Sequence, residues 1–244
     1  MQNLHNMLDF TVISFKGKHY VQSVILTLVR WYLAYSLSYR DVEELAKERG
    51  MPVDHSTIQR WGVEYSPQLE NQFRTKNKSS TDTSWRMDET YLKLKGKDVY
   101  LYRAVDKYGK TIDFMFSEKR DKSAVRAYFT KCIGQHGLPD KVTMDKSGAN
   151  KAGIDAINLQ LMALYLLTGI YHEIEIRQIK YLNNIIEQDH RFIKKITKPM
   201  RGFKYADSAV ATLAGIELHH MLRKGQRQKA ANMPVYEHFY QLAV

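Results

Sequence analysis

The stretch WRMDETYLKL, residues 85–94, alternates apolar and polar side chains as a half-buried β-strand does. KDVYLYRAVD, residues 97–106, is rich in β-branched and aromatic residues and predicts a second strand. KTIDFMFSE, residues 110–118, predicts a third strand after the short turn KYG. Because only short turns separate the three segments, they predict an antiparallel meander, and the rest of the fold must be built beside it.

Helical and strand patterns alternate after the meander. The next segment, DKSAVRAYFTKCIGQHG, predicts an amphipathic helix that buries Val125, Tyr128, Phe129 and Cys132. In chain order we predict helix, strand, helix, strand and helix over residues 121–137, 140–145, 149–166, 172–180 and 181–195. This order predicts an α/β fold with a mixed five-stranded sheet covered by flanking helices.

The chain before the meander is helical in character. An apolar helix is expected over residues 21–37, followed by LSYRDVEELAKERG and HSTIQRWGVEY, two short helices with a Gly-containing connector. This outline predicts an all-α helix-turn-helix domain that binds DNA, although an ordinary helical hairpin explains the pattern equally well. In the DNA-binding reading, four residues face the DNA: Ser56, Thr57, Gln59 and Arg60.

A polar segment, RTKNKSSTDTS, separates these helices from the meander. It has no apolar residue and therefore reads as a linker. We thus expect four parts: a helical domain over residues 1–73, the linker over 74–84, a catalytic domain over 85–205 and a helical extension over 206–244 that packs on the core.

The charge balance predicts an acidic partner. Among 244 residues, 37 are Lys or Arg and 26 are Asp or Glu, for a formal charge of +11. Nucleic acid is the first expectation and an anionic membrane surface the second. A single cysteine, Cys132, excludes an internal disulfide framework and a thiolate zinc cluster. No apolar run is free of charge over the ~20 residues that a spanning helix needs, and MQNLHNMLDF does not read as a secretory signal, so we expect a soluble, cytoplasmic protein.

Three acids stand at the ends or middle of predicted elements. Asp88 lies inside the first strand, Asp145 closes the fourth strand, and Glu187 lies on the helix after the fifth strand. Acids placed in this way can converge at one edge of a sheet. Carboxylates are ligands that Mg²⁺ prefers, and paired ions of this kind serve phosphoryl transfer. Alternation puts Glu89 on the opposite face from Asp88, so we leave Glu89 out of the set.

Each of these acids also has an ordinary structural explanation. Asp88 could pair with a basic neighbour on the surface, and Asp145 could cap the helix that follows it. Glu187 could form an ion pair with Arg191, one helical turn further on.

A basic run follows Glu187. RFIKKITKPMRGFK, residues 191–204, has six basic residues and no acid, and His190 precedes it. Such a run is usually a solvated helix face, but beside a metal site it favours contact with phosphates. The candidates for DNA contact are His190, Arg191, Lys195, Lys198, Arg201 and Lys204.

Three stretches together resemble a known family. WRMDETY, DKSGAN and IEIRQIKYLNNIIEQDHRFIK are similar to the DDE-class transposases of bacterial insertion sequences, particularly the insertion-sequence six (IS-six) family. The likeness covers nearly the whole chain. It implies an RNase H-like core, as in retroviral integrases, in which Asp88, Asp145 and Glu187 hold two Mg²⁺ ions that Mn²⁺ can replace. Lys194 matches a basic residue that the family carries two helical turns beyond the glutamate.

The resemblance also implies the activity. Such an enzyme binds the terminal inverted repeats of its element, cleaves the DNA there and joins the free 3′-hydroxyls to double-stranded target DNA. It would act in the bacterial nucleoid as a homodimer or higher oligomer. Two alternatives stay open: a non-catalytic helix-turn-helix regulator, and a structure-specific nuclease of the RNase H type. One departure concerns spacing, because LQLMALYLLTGIYH, residues 159–172, lengthens the interval between Asp145 and Glu187 beyond the family's usual value.

Overall fold

The computed structural model describes residues 13–228 and 233–243. The first twelve residues of the expected N-terminal domain and residues 229–232 and 244 of the expected C-terminal extension lie outside this range. The helices are α1 (Gln22–Ala34), α2 (Tyr39–Glu48), α3 (His55–Gln72), α4 (Lys122–His136), α5 (Gly148–Thr168), α6 (Asn184–Thr197), α7 (Ala206–Arg223) and α8 (Val235–Tyr240). The strands are β1 (Ser84–Leu94), β2 (Lys97–Asp106), β3 (Thr111–Ser117), β4 (Lys141–Thr143) and β5 (Glu175–Arg177).

The strands form one mixed five-stranded sheet in the order β3-β2-β1-β4-β5. β1 to β3 are the expected antiparallel meander, and β4 pairs in parallel with both β1 and β5. The predicted α/β class and the order of elements are therefore confirmed. β4 is shorter than expected and ends two residues before Asp145.

One face of the sheet is covered by α4 and α5. Trp85 and Met87 of β1 share an apolar cluster with Phe129 of α4 and Ile154 of α5. The four residues of α4 predicted to face inward are all buried. The two helices approach closely at Gly153, where an added Cβ would lie 2.4 Å from a methyl carbon of Val125.

The opposite face is covered by α6, α7 and the N-terminal helices. Leu92 of β1 belongs to an apolar cluster that also holds Ile193 of α6, Ile216 of α7 and Leu69 of α3. The C-terminal helix α7 thus packs on the sheet and on the N-terminal helices together. No helix among the described residues is long and apolar enough to cross a membrane.

α2 and α3 follow one another as the sequence indicates. Ser38 and Asp41 form a reciprocal capping box at the start of α2, and Asp54 caps α3. Glu43 of α2 accepts hydrogen bonds from the backbone and ring of His55, which fixes the two helices to each other. α3 runs further than expected because its later turns, including Leu69, are buried in the shared cluster.

The segment expected to be a linker is structured over its first half. Residues Phe73–Asn77 continue α3 as a π-helical turn. Lys78 is buried, and its backbone forms an isolated antiparallel β-bridge with that of Arg227. Ser79 donates its backbone N–H to the carbonyl of Gln226. The absence of apolar side chains in 74–84 was misleading, because backbone pairing with the chain after α7 holds this segment in place.

Candidate active site

Two of the candidate acids occupy the same level of the sheet. Arg86 of β1 and Thr143 of β4 are the last residues that these parallel strands pair. Asp88 and Asp145 each follow two residues later. The two carboxylates therefore belong to adjacent backbone segments at one edge of the sheet, where β4 has ended and β1 continues.

The start of α6 is tied to the same segment of β1. The side-chain amide of Asn183 donates to the carbonyl of Met87 at 3.1 Å, and the Arg86 guanidinium donates to the carbonyl of Leu182 at 3.0 Å. These bonds anchor the chain that leads into α6 beside Asp88. Glu187 lies in the first turn of that helix and is exposed.

Asp145 is held by an amide that also holds Glu89. The Asn150 Nδ2 atom donates to Glu89 and to Asp145, both at 3.1 Å. Arg120 forms an ion pair with Glu89 and lies 3.8 Å from the second Asp145 oxygen. Burial raises the pKa of Glu89 against the lowering effect of Asn150 and Arg120, and the negative charges of Asp88 and Asp145 add to the rise. Asp88 and Asp145 thus each lie within electrostatic reach of Glu89.

Asp88 points to the other face, as alternation predicts. It lies 3.3 Å from Nε2 of His190, a residue that is 4% exposed. The other ring nitrogen of His190 lies 3.4 Å from the fully buried guanidinium of Arg103. The expectation that His190 contacts DNA is therefore wrong: this histidine packs behind Asp88, between a strand and a helix.

Asp189 is the carboxylate of α6 that serves the fold. It forms an ion pair with Arg103 at 2.7 Å and with Lys224 at 2.9 Å, and it accepts from His220 at 2.7 Å. Although burial opposes it, the charges of Arg103, His220 and Lys224 hold the pKa of Asp189 well below its usual range. Asp189 is therefore committed to a structural network, whereas Glu187 keeps its carboxylate in solvent.

The three candidate acids offer carboxylate oxygens, which are the ligands that a hard cation such as Mg²⁺ prefers. The side chains of Asp88 and Asp145 are 21% and 44% exposed, and Glu187 is exposed as well. Cys132, the one thiol of the sequence, lies on α4 and is buried in the apolar cluster between that helix and the sheet. Within the described ranges, however, no group of three or more His, Cys, Asp or Glu side chains stands close enough to hold an ion as placed. Carboxylates repel one another, so their closer approach requires a positive partner.

Comparison with known proteins decides the family. Residues 82–226 match the DDE domain of the IS240 transposase type. The chain is 39% identical over 216 residues to the transposase for the insertion sequence-like element IS431mec of Staphylococcus aureus, covering 88% of this chain and 90% of that protein. Identity and coverage are the same for the transposase for insertion sequence element IS257 in transposon Tn4003, also from Staphylococcus aureus. The chain belongs to the DDE transposase family.

As a transposase it is a polynucleotidyl transferase whose substrate is DNA, and it serves the movement of an insertion sequence. Solved structures show a weaker likeness. The catalytic core domain of BIV integrase has 16% identity and a TM-score of 0.39, over 66% of this chain and 95% of that one. The HTLV-2 integrase catalytic core domain in complex with magnesium has 16% identity and a TM-score of 0.34, over 48% and 70%.

The transposase carries its basic run on one surface. Lys194 is exposed and lies two turns beyond Glu187 on α6. Lys194, Lys198 and Arg201 line a cavity of about 400 Å³ with Tyr91 and Lys93 of β1. The remaining predicted contacts on this run are exposed as well: Arg191, Lys195 and Lys204.

The predicted DNA-facing residues of α3 lie at its first turns. Ser56, Gln59 and Arg60 are exposed, and Thr57 is half-buried. The hydroxyls of Ser56 and Thr57 donate to Asp54, and Thr57 accepts from Arg60, so these two hydroxyls already serve the helix cap. Gln59 and Arg60 are the side chains of this set whose polar groups are more open to solvent.

Sequence reasoning missed three residues beside Asp145: Glu89, Arg120 and Asn150. Glu89 does lie on the opposite face from Asp88, but the helix α5 brings Asn150 to that face and α5 begins just after Asp145. A signal was present, because an acid flanked by strand residues on a helix-covered face must be buried and therefore needs partners.

Proposed function

We propose that this transposase binds the terminal inverted repeats of its own insertion sequence, cuts the DNA there and joins the ends to target DNA. Water attacks the phosphodiester at the element's end; the phosphorus–oxygen bond breaks, and the departing 3′ oxygen gains a proton. That 3′-hydroxyl then attacks a target phosphodiester, forms the new bond and releases a target 3′-hydroxyl, to which its proton passes through solvent. No covalent intermediate with the protein forms.

The observation that supports this proposal best is the common level of Asp88 and Asp145 on β1 and the chain after β4. The bond from Asn183, just before α6, to the carbonyl of Met87 supports assigning Glu187 to the same edge. We assign these three carboxylates to two Mg²⁺ ions, with Mn²⁺ as a substitute. Bound ions would supply the positive charge that offsets the charge gathering on the reacting phosphate.

The chain's own cations hold the DNA backbone in this proposal. Lys194 contacts the phosphate nearest the three carboxylates. Arg191, Lys195, Lys198, Arg201 and Lys204 extend the contact along the strand.

The N-terminal helices continue this DNA surface. Gln59 of α3 and Lys204 line one cavity of about 220 Å³, and Ser36 donates to the backbone carbonyl of Lys195. The first turns of α3 therefore lie beside the basic run. We assign Gln59 and Arg60 to base edges in the repeats, with Ser56 and Thr57 closing the helix end against the backbone.

Two DNA ends must be held to be joined to one target. The working enzyme is therefore proposed to be a homodimer or a higher oligomer that acts on the nucleoid in the bacterial cytoplasm.

The decisive experiment uses the element's end DNA, a target plasmid and Mg²⁺. Native protein should give joined products, and Asp145→Asn should bind the end DNA but neither cut nor join it. Asp155→Asn is the matched control, because Asp155 lies on α5 as an exposed partner of Lys151. It should join ends as the native protein does.

The two alternatives give different results in this assay. A regulator would bind equally well with or without Asp145 and would leave the DNA intact. A nuclease of the RNase H type would cut but yield no joined product. Either result from the native protein would overturn the proposal.

A further inference from the structure

The outer half of α5 is apolar and stands in solvent. We define the α5 tip as residues 159–171. Leu161 packs against the core, and the other large apolar side chains of the tip are 39% to 85% exposed. The most prominent are Leu159, Met162, Leu164, Leu166, Leu167 and Ile170.

The two halves of α5 differ sharply in their environment. The first half carries Asn150, Gly153, Ile154 and Ile157, which are all buried. From residue 162 to residue 171 every position is exposed, so no other part of the described chain covers this half. A helix that is apolar on all sides is normally buried, and contiguous exposed apolar surface marks an interaction site. Removing these leucines from water is favourable, so the exposed tip favours association with a second surface.

The charge distribution selects the kind of partner. Residues 156–171 contain no Asp, Glu, Lys or Arg, whereas the chain as a whole carries a formal charge of +11. Leucine side chains offer nothing to phosphates, so DNA is not the partner of this surface. A helix that lies on a membrane needs a polar face with basic residues, and the tip has neither.

A second copy of the chain meets these requirements. Two strongly basic chains repel each other, and they can approach most easily where neither carries charge. Identical surfaces related by a two-fold axis are self-complementary by construction, so apolar residues of one tip face those of the other. The helical part of the tip spans about 15 Å, enough for two to three turns to pair.

We propose that the α5 tip is the surface through which two copies of this transposase associate, with the helices antiparallel about a two-fold axis. The functional consequence rests on the proposed joining of two DNA ends. One end of α5 holds Asp145 through Asn150, and its other end would hold the partner. Association would thus be linked through one rigid helix to the catalytic edge of each copy.

Cysteine crosslinking tests the contact directly. Cys132 is the only native cysteine, and it is buried, which raises the pKa of its thiol and leaves it unreactive. Leu166→Cys therefore adds the one accessible thiol, at a position that is 77% exposed. Mild oxidation should convert most of this variant to a covalent dimer. Tyr108→Cys, equally open at 73% but in the turn after β2, should stay largely uncrosslinked.

Introducing negative charge into the surface gives a second readout. Leu159→Glu combined with Leu167→Glu should sediment as a monomer at concentrations where the native protein is a dimer. Tyr108→Glu combined with Tyr205→Glu, also exposed positions, should leave the dimer intact. The monomeric variant should bind a single DNA end as the native protein does and lose at least tenfold in joining paired ends.

The outcomes separate this inference from the proposed function. If native protein joins ends while Leu166→Cys crosslinks no better than Tyr108→Cys, the dimer surface is wrong and the transposition chemistry stands. The inference is also overturned if the native protein remains monomeric. It is overturned as well if the native protein binds neutral lipid vesicles through these leucines. If the native protein dimerises through the tip but neither cuts nor joins DNA, the proposed function fails instead.

Discussion

His219 is a buried histidine that no acid within residues 13–228 and 233–243 compensates. Adjacent positions on a helix predict one buried and one exposed histidine at 219 and 220, yet both are buried because α7 packs on the sheet and on the N-terminal helices. Burial, together with the charges of Arg30 and Arg223, lowers the pKa of His219 to about 3. Its Nδ1 atom finds no hydrogen-bond partner among the residues that the structure describes.

We expect His219 to make the fold sensitive to acid. Below pH 6.5 the unfolded chain takes up a proton at this residue that the folded chain refuses, so the free energy of unfolding falls as the pH drops towards 3. Between pH 6.5 and pH 5 the loss amounts to about 2 kcal/mol, and above pH 7 there is none. Urea unfolding at pH 7 and pH 5 measures this loss. The free energy of unfolding should decrease less between the two pH values for His219→Leu than for the native protein. The exposed His19, replaced in the same way, should leave the decrease unchanged; an equal effect of both variants would contradict the assignment.

At the scale of elements, the contact of α4 with α5 depends on a missing side chain. Gly153→Ala places a Cβ 2.4 Å from a methyl of Val125, so the helices must separate or strain. Overpacking of this kind costs about 1–3 kcal/mol in free energy of unfolding. No atom of the described residues lies within 4 Å of a Cβ added at Gly134 of α4, so Gly134→Ala should instead raise the free energy of unfolding by about 0.5–1 kcal/mol. The unfolding temperatures of the two variants should therefore shift in opposite directions from that of the native protein. Shifts of the same sign would contradict this packing.

Local pattern was sufficient for most elements and failed where distant residues intervene. The alternation of 85–94 predicts β1 and the faces of Asp88 and Glu89, because a strand's period is a local property. The length of α3 depends on its packing against α7. The placement of Lys78 depends on its backbone pairing with Arg227, about 150 positions later. No local sequence pattern indicates either contact. For the same reason His190 read as a surface residue. Its burial is set by Arg103, which the meander brings beneath α6.

At the scale of the molecule, one buried guanidinium joins the sheet to two helices. Arg103 of β2 is fully buried and forms ion pairs with Glu217 of α7 at 2.6 Å and Asp189 of α6 at 2.7 Å. Arg103→Met leaves both acids without this partner in the interior, which costs about 3–5 kcal/mol. Lys93→Met is the control, since its pair with Asp98 is exposed and contributes less than about 1 kcal/mol.

Denaturant unfolding measures both variants. The Arg103→Met midpoint should fall far below that of Lys93→Met, and adding Glu217→Leu to Arg103→Met should recover part of the loss. Comparable midpoints for the two single variants would show that the buried network does not hold the sheet and helices together.

We propose that Asp88, Asp145 and Glu187 share bound metal ions, and iron-directed cleavage of the polypeptide reports which residues surround such an ion. Fe²⁺ in place of Mg²⁺, with ascorbate and peroxide, cuts the polypeptide beside the bound ion. With the element's end DNA bound, we predict cuts near residues 88, 145 and 187, suppressed by excess Mg²⁺ and lost in Asp145→Asn but not in Asp155→Asn. Cuts that spare the first turn of α6, or that persist in Asp145→Asn, would show that the three carboxylates do not share a metal site.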